Sequence, residues 1–361
     1  MHIVQLTRDC FDTYTRFHRA MWPLHDAAGD WDVVLHKYFE NPHAGLCPGS
    51  GLYAYLDGNN DICGIAGAYP MPITLNGRLY PGHMLVDWAV LPRYWTGPHH
   101  TTDLEGKFIA GTLFAEVISL PGMKFASYGS AYSQLPLGRK ARKIPAVVAA
   151  AILSPVNAAL LEFLHLRNYA QPSPVSATHL ELPGVAFSMS PNEIPVAQPK
   201  DPNDTAYVRR DSSFWSCYFQ SRNHHGGSAF CLRRNGDTGY MVCNLLECGR
   251  IRFAIVLALC INGHSLRVAR HLSKCAREVL AKLNVSVVIA TEADDCMRTF
   301  LNSLGKWVVR KERHWWAIPK ASDSFQTEDV HWWLTSAERD AIWLPGSQTR
   351  PPENESSHRH E

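Results

Sequence analysis

The chain of 361 residues contains no C-x-x-C pair, no G-x-G-x-x-G and no G-x-x-x-x-G-K-S/T. The first absence removes the common zinc ribbons and dithiol redox motifs. The other two remove a dinucleotide cradle and a P-loop, which need glycine where backbone N–H groups approach phosphate. Ten cysteines are scattered singly instead, the nearest two being Cys243 and Cys248. They read as buried thiols of a reducing compartment, which makes the cytoplasm the expected location. An excess of charge of one sign is missing too: 35 Lys and Arg meet 33 Asp and Glu, interspersed, for a formal net charge of +2. No basic stripe is available to follow a nucleic-acid backbone, so no nucleic-acid partner is expected. No Ser/His/Asp or Cys/His set carries a recognised local signature, which argues against the common hydrolases. No secretory leader precedes Leu6, and MHIVQL reads as a strand from the start.

Unbroken apolar runs of membrane length are also lacking. IPAVVAAAILSPVNAALLEFLHL (144–166) comes nearest, but Pro155 and Asn157 interrupt its middle. Polar groups there would lie at the costliest depth of a bilayer, so a hairpin-like connection packed between domains is expected, without stable membrane insertion.

What the sequence does have is one pattern twice. MLVDWAVLP (84–92), KFIAGTLFAEVI (107–118), MKFASYGS (123–130) and AYSQLPLGRKARK (131–143) read as strand, amphipathic helix, strand and short helix. IRFAIVLALCING (251–263), SLRVARHLSKCAREVLAKL (265–283), VSVVIATE (285–292) and DDCMRTFLNSLGKW (295–307) repeat that order almost without identities. Each copy follows a meander of strands, with turns at DGNND (57–61) and Asn76-Gly77 in the first and at Asn235-Gly236 in the second. A unit this long can own a core, so two similar domains are expected: 1–166 and 206–344, with a Pro- and Gly-rich junction at 167–205 and a disordered tail at 345–361. Strands and helices do not alternate strictly, which points to an α+β class with helices on a mixed, mostly antiparallel sheet.

The order of elements and several short segments resemble the GNAT fold of the Gcn5-related N-acyltransferases, in the tandem form found in polysaccharide-synthesis clusters. The segments are V-L-P-R-Y (90–94), G-T-L-F (111–114), YGSAYSQLPLGRKARK (128–143), RDSSFWSCYFQ (210–220), FLNSLGKWVV (300–309) and DVHWWLTSAERD (329–340). The resemblance covers nearly the whole chain and implies two tandem GNAT-like domains. It also implies acyl-CoA, expected to be acetyl-CoA, as co-substrate and an amine of a small polar metabolite or amino sugar as acceptor. In that family the pyrophosphate sits at a helix N-terminus, a backbone N–H on the preceding strand contacts the oxyanion, and a tyrosine on the last short helix often protonates the thiolate.

Transferred residue by residue, the resemblance puts Val90 on that strand and Lys107, Gly111 and Thr112 at the phosphate loop of the first domain. Trp95 replaces the expected arginine, the insertion TGPHHTTDLEG separates strand from helix, and Gly138 stands in place of the tyrosine, leaving Tyr132 as the nearest phenol. In the second domain Asn262, Gly263, His264, Ser265 and Arg267 form the strand-to-helix junction, where Ser265 can cap the helix and Arg267 can reach an anion; Phe300 takes the tyrosine position. An ordinary capped turn is the other reading of that junction. Asp87 is a lone carboxylate in an apolar strand, where burial would raise its pKa toward the range of a general base; a solvent-facing strand residue is the alternative. His99-His100 and His224-His225 lack a third ligand at diagnostic spacing, so no metal site is expected, and Asp294 and Asp295 read as helix caps. Two other functions fit the same residues: a binding or scaffold protein that has lost catalysis, and an aminoacyl-tRNA-dependent transferase, the latter disfavoured by the missing basic cluster.

Overall fold

The computed structural model describes residues 2–23, 27–94, 104–126, 142–153, 173–175, 180–220, 227–248, 251–318 and 331–334. Tyr132, Gly138, the two His-His pairs and the 345–361 tail lie outside them.

The first half of the chain opens with β1 (His2–Gln5), α1 (Phe11–Met21), α2 (Ala27–Val34) and a π-helical turn at Leu35–Phe39. Strands β2 (Gly51–Leu56), β3 (Ile62–Pro70), β4 (Ile73–Leu75), β5 (Arg78–Tyr80) and β6 (Gly82–Val90) follow, then α3 (Leu104–Ser119), β7 (Met123–Ala126) and β8 (Arg142–Ile152). Three short strands, β9 (Ser173–Pro174), β10 (Glu181–Leu182) and β11 (Ala186–Ser188), lead to β12 (Thr205–Val208) and α4 (Ser212–Gln220). The second half continues with β13 (Gly227–Arg234), β14 (Asp237–Cys248), β15 (Ile251–Ile261), α5 (Leu266–Lys282), β16 (Val285–Thr291), α6 (Asp295–Leu304), β17 (Trp307–Ile318) and β18 (His331–Trp333).

The turns obey their local chemistry. Asn76 and Gly77 have φ of 52° and 68°, and Asn235 and Gly236 have 51° and 82°, the left-handed pair that a two-residue hairpin requires. Asp57 closes the β2–β3 turn by accepting from the N–H groups of Asn59 and Asp61. On α5 the buried residues Val268, Leu272, Cys275, Ala276 and Val279 fall on one stripe of helical period, so that face packs against the sheet while Arg267, Arg270 and Lys274 stay outward.

Both halves build a mixed, mostly antiparallel half-sheet around one parallel pair, β6 with β7 and β15 with β16. The half-sheets are fused. The strand order is β1-β2-β3-β6-β7-β17-β8-β16-β15-β14-β13-β11-β10, with β9 beside β14. This order is a palindrome with exchanged closing strands: β8, from the first half of the sequence, pairs with β16, and β17, from the second, pairs with β7. The two exchanged strands pair antiparallel with each other from Trp307 opposite Ile152 to Ala317 opposite Arg142. A small second sheet, β18-β12-β4-β5, also joins segments from both halves.

The run 144–152 is therefore a central strand and not part of an interdomain hairpin. A strand in mid-sheet is covered on both faces, so its apolar run needs no polar alternation: Ile144 and Ala146 join one core, Ala149 and Ala151 the other. Helices cover both faces. α3 packs on the first half-sheet around Leu113 and Ile109, and α5 with α6 on the second around Leu272 and Phe300. The opposite face carries α1, α2 and α4 in a core common to both halves, with Phe17, Val33, Trp215 and Tyr218 packed among Leu52, Ile65, Val242 and Leu257.

Candidate functional site

The parallel pair of the first half is short. Among the described residues β6 pairs with β7 at Gly82–Met84 against Met123–Phe125, and it continues beside β3 to Val90. Beyond Met84 the ladder to β3 slips: Ile65 faces Ala89 and Gly67 faces Val86, so Ala66 stands opposite both Asp87 and Trp88. Two residues against one is a β-bulge, and Asp87 adopts φ 51°, a left-handed conformation that a non-glycine residue takes only when its surroundings impose it. A bulge re-aims backbone N–H groups and one side chain out of the ladder. The second half has a matching slip between β14 and β15 at Leu257, without a positive φ.

The re-aimed side chain enters the common core. Asp87 Oδ2 accepts from Lys37 Nζ at 2.7 Å and from the Tyr38 hydroxyl at 2.5 Å, with the Lys37 side chain fully buried and that of Asp87 5% exposed. Asp87 Oδ1 is buried with no partner among the described residues. Two consecutive residues reach one carboxylate oxygen because they sit on the π-helical turn. Gly67 makes room: a Cβ there would collide with the Tyr38 hydroxyl.

Beyond this ion pair the polar atoms continue into the second half. Lys37 Nζ lies 6.0 Å from the Tyr69 ring centre, and Tyr69 shares a core cluster with Trp215 and Tyr218 of the second half. Arg210, at the start of α4, is fully enclosed, and that desolvation lowers its pKa to about 10. Burial also raises the Tyr218 phenol and pushes the Cys243 and Cys260 thiols up to about 12, so these three are neutral at physiological pH. The Tyr218 hydroxyl donates to Asn244 Oδ1 at 2.6 Å. Asn244 Nδ2 and Trp215 Nε1 are enclosed donors without a partner among the described residues. The turn and α4 are locked together by His43, whose ring stacks on Phe214 at 5.5 Å and lies 3.5 Å from Asp211.

The residues singled out in the sequence fall in different places. Asp87 is at the centre of this cluster, but as the partner of Lys37 and Tyr38 rather than a lone carboxylate. Val90 ends β6 opposite Gly64 and packs against α3. Lys107 stands in the first turn of α3, whereas Gly111 and Thr112 lie about two turns into it, beyond reach of a phosphate loop; the Thr112 hydroxyl donates to Phe108 O at 2.7 Å. The helix begins before G-T-L-F because Leu104–Gly106 already extend it.

In the second half Asn262–His264 form a 3-10 turn with positive φ at Gly263 and His264, and Ser265 caps α5 by accepting from Val268 N–H. The largely exposed Arg267 reaches Asp237 at 3.3 Å, beside His271, which contacts the same carboxylate at 2.7 Å. Phe300 is a fully buried core residue. Asp294 caps α6, as expected, and also accepts from Trp333 Nε1. It lines a cavity of about 580 Å³ between the start of β8 and the end of β16, whose buried Glu292 is spent on Arg298 and Arg310. Among the described residues no group of three or more His, Cys, Asp or Glu is arranged to hold a metal.

Lys37, Tyr38, Arg210 and Asn244 are absent from the sequence-based candidates. A lysine inside the apolar run VVLHKYF was the available signal, since a charge there must find a partner on burial.

The chain matches no family model and no curated protein by sequence. Solved structures do match it in shape. A GCN5-related N-acetyltransferase from Anabaena variabilis superposes with a TM-score of 0.50 at 10% identity, over 88% of this chain and 72% of that one. A probable N-acyltransferase from Enterococcus faecalis gives 0.51 at 10% identity over the same shares. Saccharomyces cerevisiae N-myristoyltransferase with bound myristoyl-CoA and inhibitors gives 0.52 at 8% identity, over 88% and 80%. The chain has the GNAT fold. It carries that fold twice in tandem, as its paired bulges and parallel pairs already indicate. At this identity the likeness is one of fold, and the second copy of the GNAT unit lends the first its closing strand.

Proposed function

We propose that the chain is an acyl-CoA-dependent N-acyltransferase, with acetyl the expected acyl group, working from the bulge of β6. The observation that carries this reading is Asp87: a buried carboxylate on a left-handed bulge of β6, with one oxygen anchored and the other without a partner among the described residues. The thioester carbonyl is proposed to lie along β6 beyond Met84, its oxygen facing bulge N–H groups, with the pyrophosphate at the N-terminal end of α3 near Lys107. The acceptor amine binds in the crevice between the halves, taken as 1–166 and 206–344. Its nitrogen attacks the carbonyl carbon while Asp87 Oδ1 takes a proton from it. Collapse of the tetrahedral intermediate reforms the C=O bond, breaks the C–S bond and releases the thiolate, which is then protonated. The Lys37 ammonium and Tyr38 hydroxyl hold Oδ2 so that Oδ1 faces the amine.

Binding without turnover is a second reading, favoured by Phe300 lying buried where the second half would present its acid. Titration calorimetry with acetyl-CoA and desulfo-CoA, followed by a thiol-release assay over a panel of amines, separates the two. Binding of both nucleotides with thiol release on one amine supports the enzyme. Binding with no release on any amine supports the second reading, and no binding overturns both. A protein acting this way belongs in the cytoplasm with small-molecule partners; among the described residues no helix is long and apolar enough to cross a membrane.

A further inference from the structure

Asp87 Oδ1, Asn244 Nδ2 and Trp215 Nε1 are among the enclosed hydrogen-bonding atoms that lack a partner among the described residues. Enclosed polar atoms in native proteins are nearly always satisfied, so each of these calls for a partner beyond the described residues. They belong to one contiguous patch. Asp87 grips Lys37, whose Nζ lies 6.0 Å from the Tyr69 ring; Tyr69, Trp215 and Tyr218 share one core cluster, and Tyr218 bonds Asn244 and packs 6.1 Å from Trp215. The chemistry divides by half. The first half offers a hydrogen-bond acceptor at a carboxylate; the second offers only donors, an amide N–H pair and an indole N–H, beside the buried Arg210 guanidinium.

We infer that the acceptor is a small primary amine that also carries a hydrogen-bond-accepting oxygen, its nitrogen received by Asp87 and its oxygen by Asn244 and Trp215. This rests on the acyltransferase reading and extends it: both halves bind one molecule, and the second half acts as specificity element although its own acid position is a buried phenylalanine. Asn244 is 1% exposed and Trp215 fully buried, so the molecule is one that the core can enclose, and not the surface of a macromolecule. A hydroxyl of an amino sugar and a carboxylate of an amino acid present the same oxygen chemistry to these donors.

The test uses the full chain without acyl donor and measures binding of glucosamine, serine and propylamine by ligand-observed NMR. At least one oxygen-bearing amine is expected to bind about 10-fold or more tightly than propylamine, since a site built to hydrogen-bond an oxygen rejects the analogue that lacks it. Glucosamine and serine distinguish the sugar hydroxyl from the carboxylate. Asn244→Leu is expected to abolish that preference while leaving acetyl-CoA affinity within about twofold; if it does not fold, Trp215→Phe, which deletes one donor, is expected to reduce the preference. Equal binding of all three amines, a preference that survives substitution, or no amine binding at all, meaning that the atoms hold an enclosed water only, overturns the inference. Acetyl-CoA binding is read separately, so failure of the acyltransferase reading shows as loss of that binding and not of the amine preference.

Discussion

At the scale of single residues, the proposed chemistry turns on Asp87. Its positive φ and its place in the bulge move its side chain off the ladder and into a core where, among the described residues, Lys37 and Tyr38 balance it. Asp87→Asn keeps the size and the hydrogen bond from Tyr38 but removes the proton acceptor. Turnover is expected to fall by about 10²-fold or more with acetyl-CoA affinity largely kept. Near wild-type turnover in this variant, with the acceptor identified, would place the base elsewhere. A second residue of β6 controls stability. Burial, reinforced by the Lys124 ammonium, holds His83 at about 4, below the ordinary value near 6.5. Between those values the unfolded chain binds a proton that the folded chain refuses, so the contribution is intact above about pH 6.5 and is lost as pH falls toward 4, by up to about 3 kcal/mol. His43, lowered chiefly by burial, acts in the same direction. Thermal unfolding midpoints are expected to drop across that window and His83→Gln to flatten the drop; an unchanged slope in the variant would sink the assignment.

Elements matter here through their interruptions. The π-helical turn at Leu35–Phe39 and the bulge of β6 are two irregularities that fit one another, and Gly67 is the spacer between them. Gly67→Ala puts a methyl group where the Tyr38 hydroxyl lies, so Tyr38 must leave Asp87. Overpacking of this kind costs about 1–3 kcal/mol, and turnover is expected to fall with it. A chemical-denaturation midpoint equal to wild type would show that the turn yields freely. The junction before α5 behaves oppositely. Its glycine and capping serine match an anion-binding helix start, while Arg267 leans to Asp237 on the neighbouring hairpin. Arg267→Ala is therefore expected to leave acetyl-CoA affinity within about twofold in calorimetry, and a loss of 10-fold or more would move the phosphate site to the second half.

At the level of the whole molecule, the exchange of β8 and β17 ties the halves together. Each half-sheet is completed by the other's closing strand, and the two strands pair along almost their full length. Removing β17 strips β7 of its neighbour and leaves β8 an exposed edge, so truncation at residue 305 is expected to unfold both halves, and the intact chain to melt in a single transition. Calorimetry of the full chain and two-dimensional NMR of a 1–205 fragment provide the check: two resolved transitions, or a dispersed spectrum from the fragment, would show independent domains.

Local chemistry was legible in the sequence because it is decided by neighbours along the chain. The Asn-Gly hairpins, the Ser265 and Asp294 caps, the amphipathic α5 and the recurring order of strands and helices all follow from residues a few positions apart, and Asp87 stood out as a charge in an apolar strand. The apolar run at 144–152 was legible as buried but not as a strand, since continuous apolarity marks burial on all sides without naming the neighbours. Pairing across the chain was not legible at all. The exchange of closing strands, the approach of Lys37 and Tyr38 to Asp87 across some fifty positions, and the meeting of that cluster with Arg210 and Asn244 depend on which surfaces exclude water together. That is a property of the packed molecule: an ion pair or an enclosed amide is affordable only where the whole fold surrounds it, and no local pattern encodes what will lie opposite.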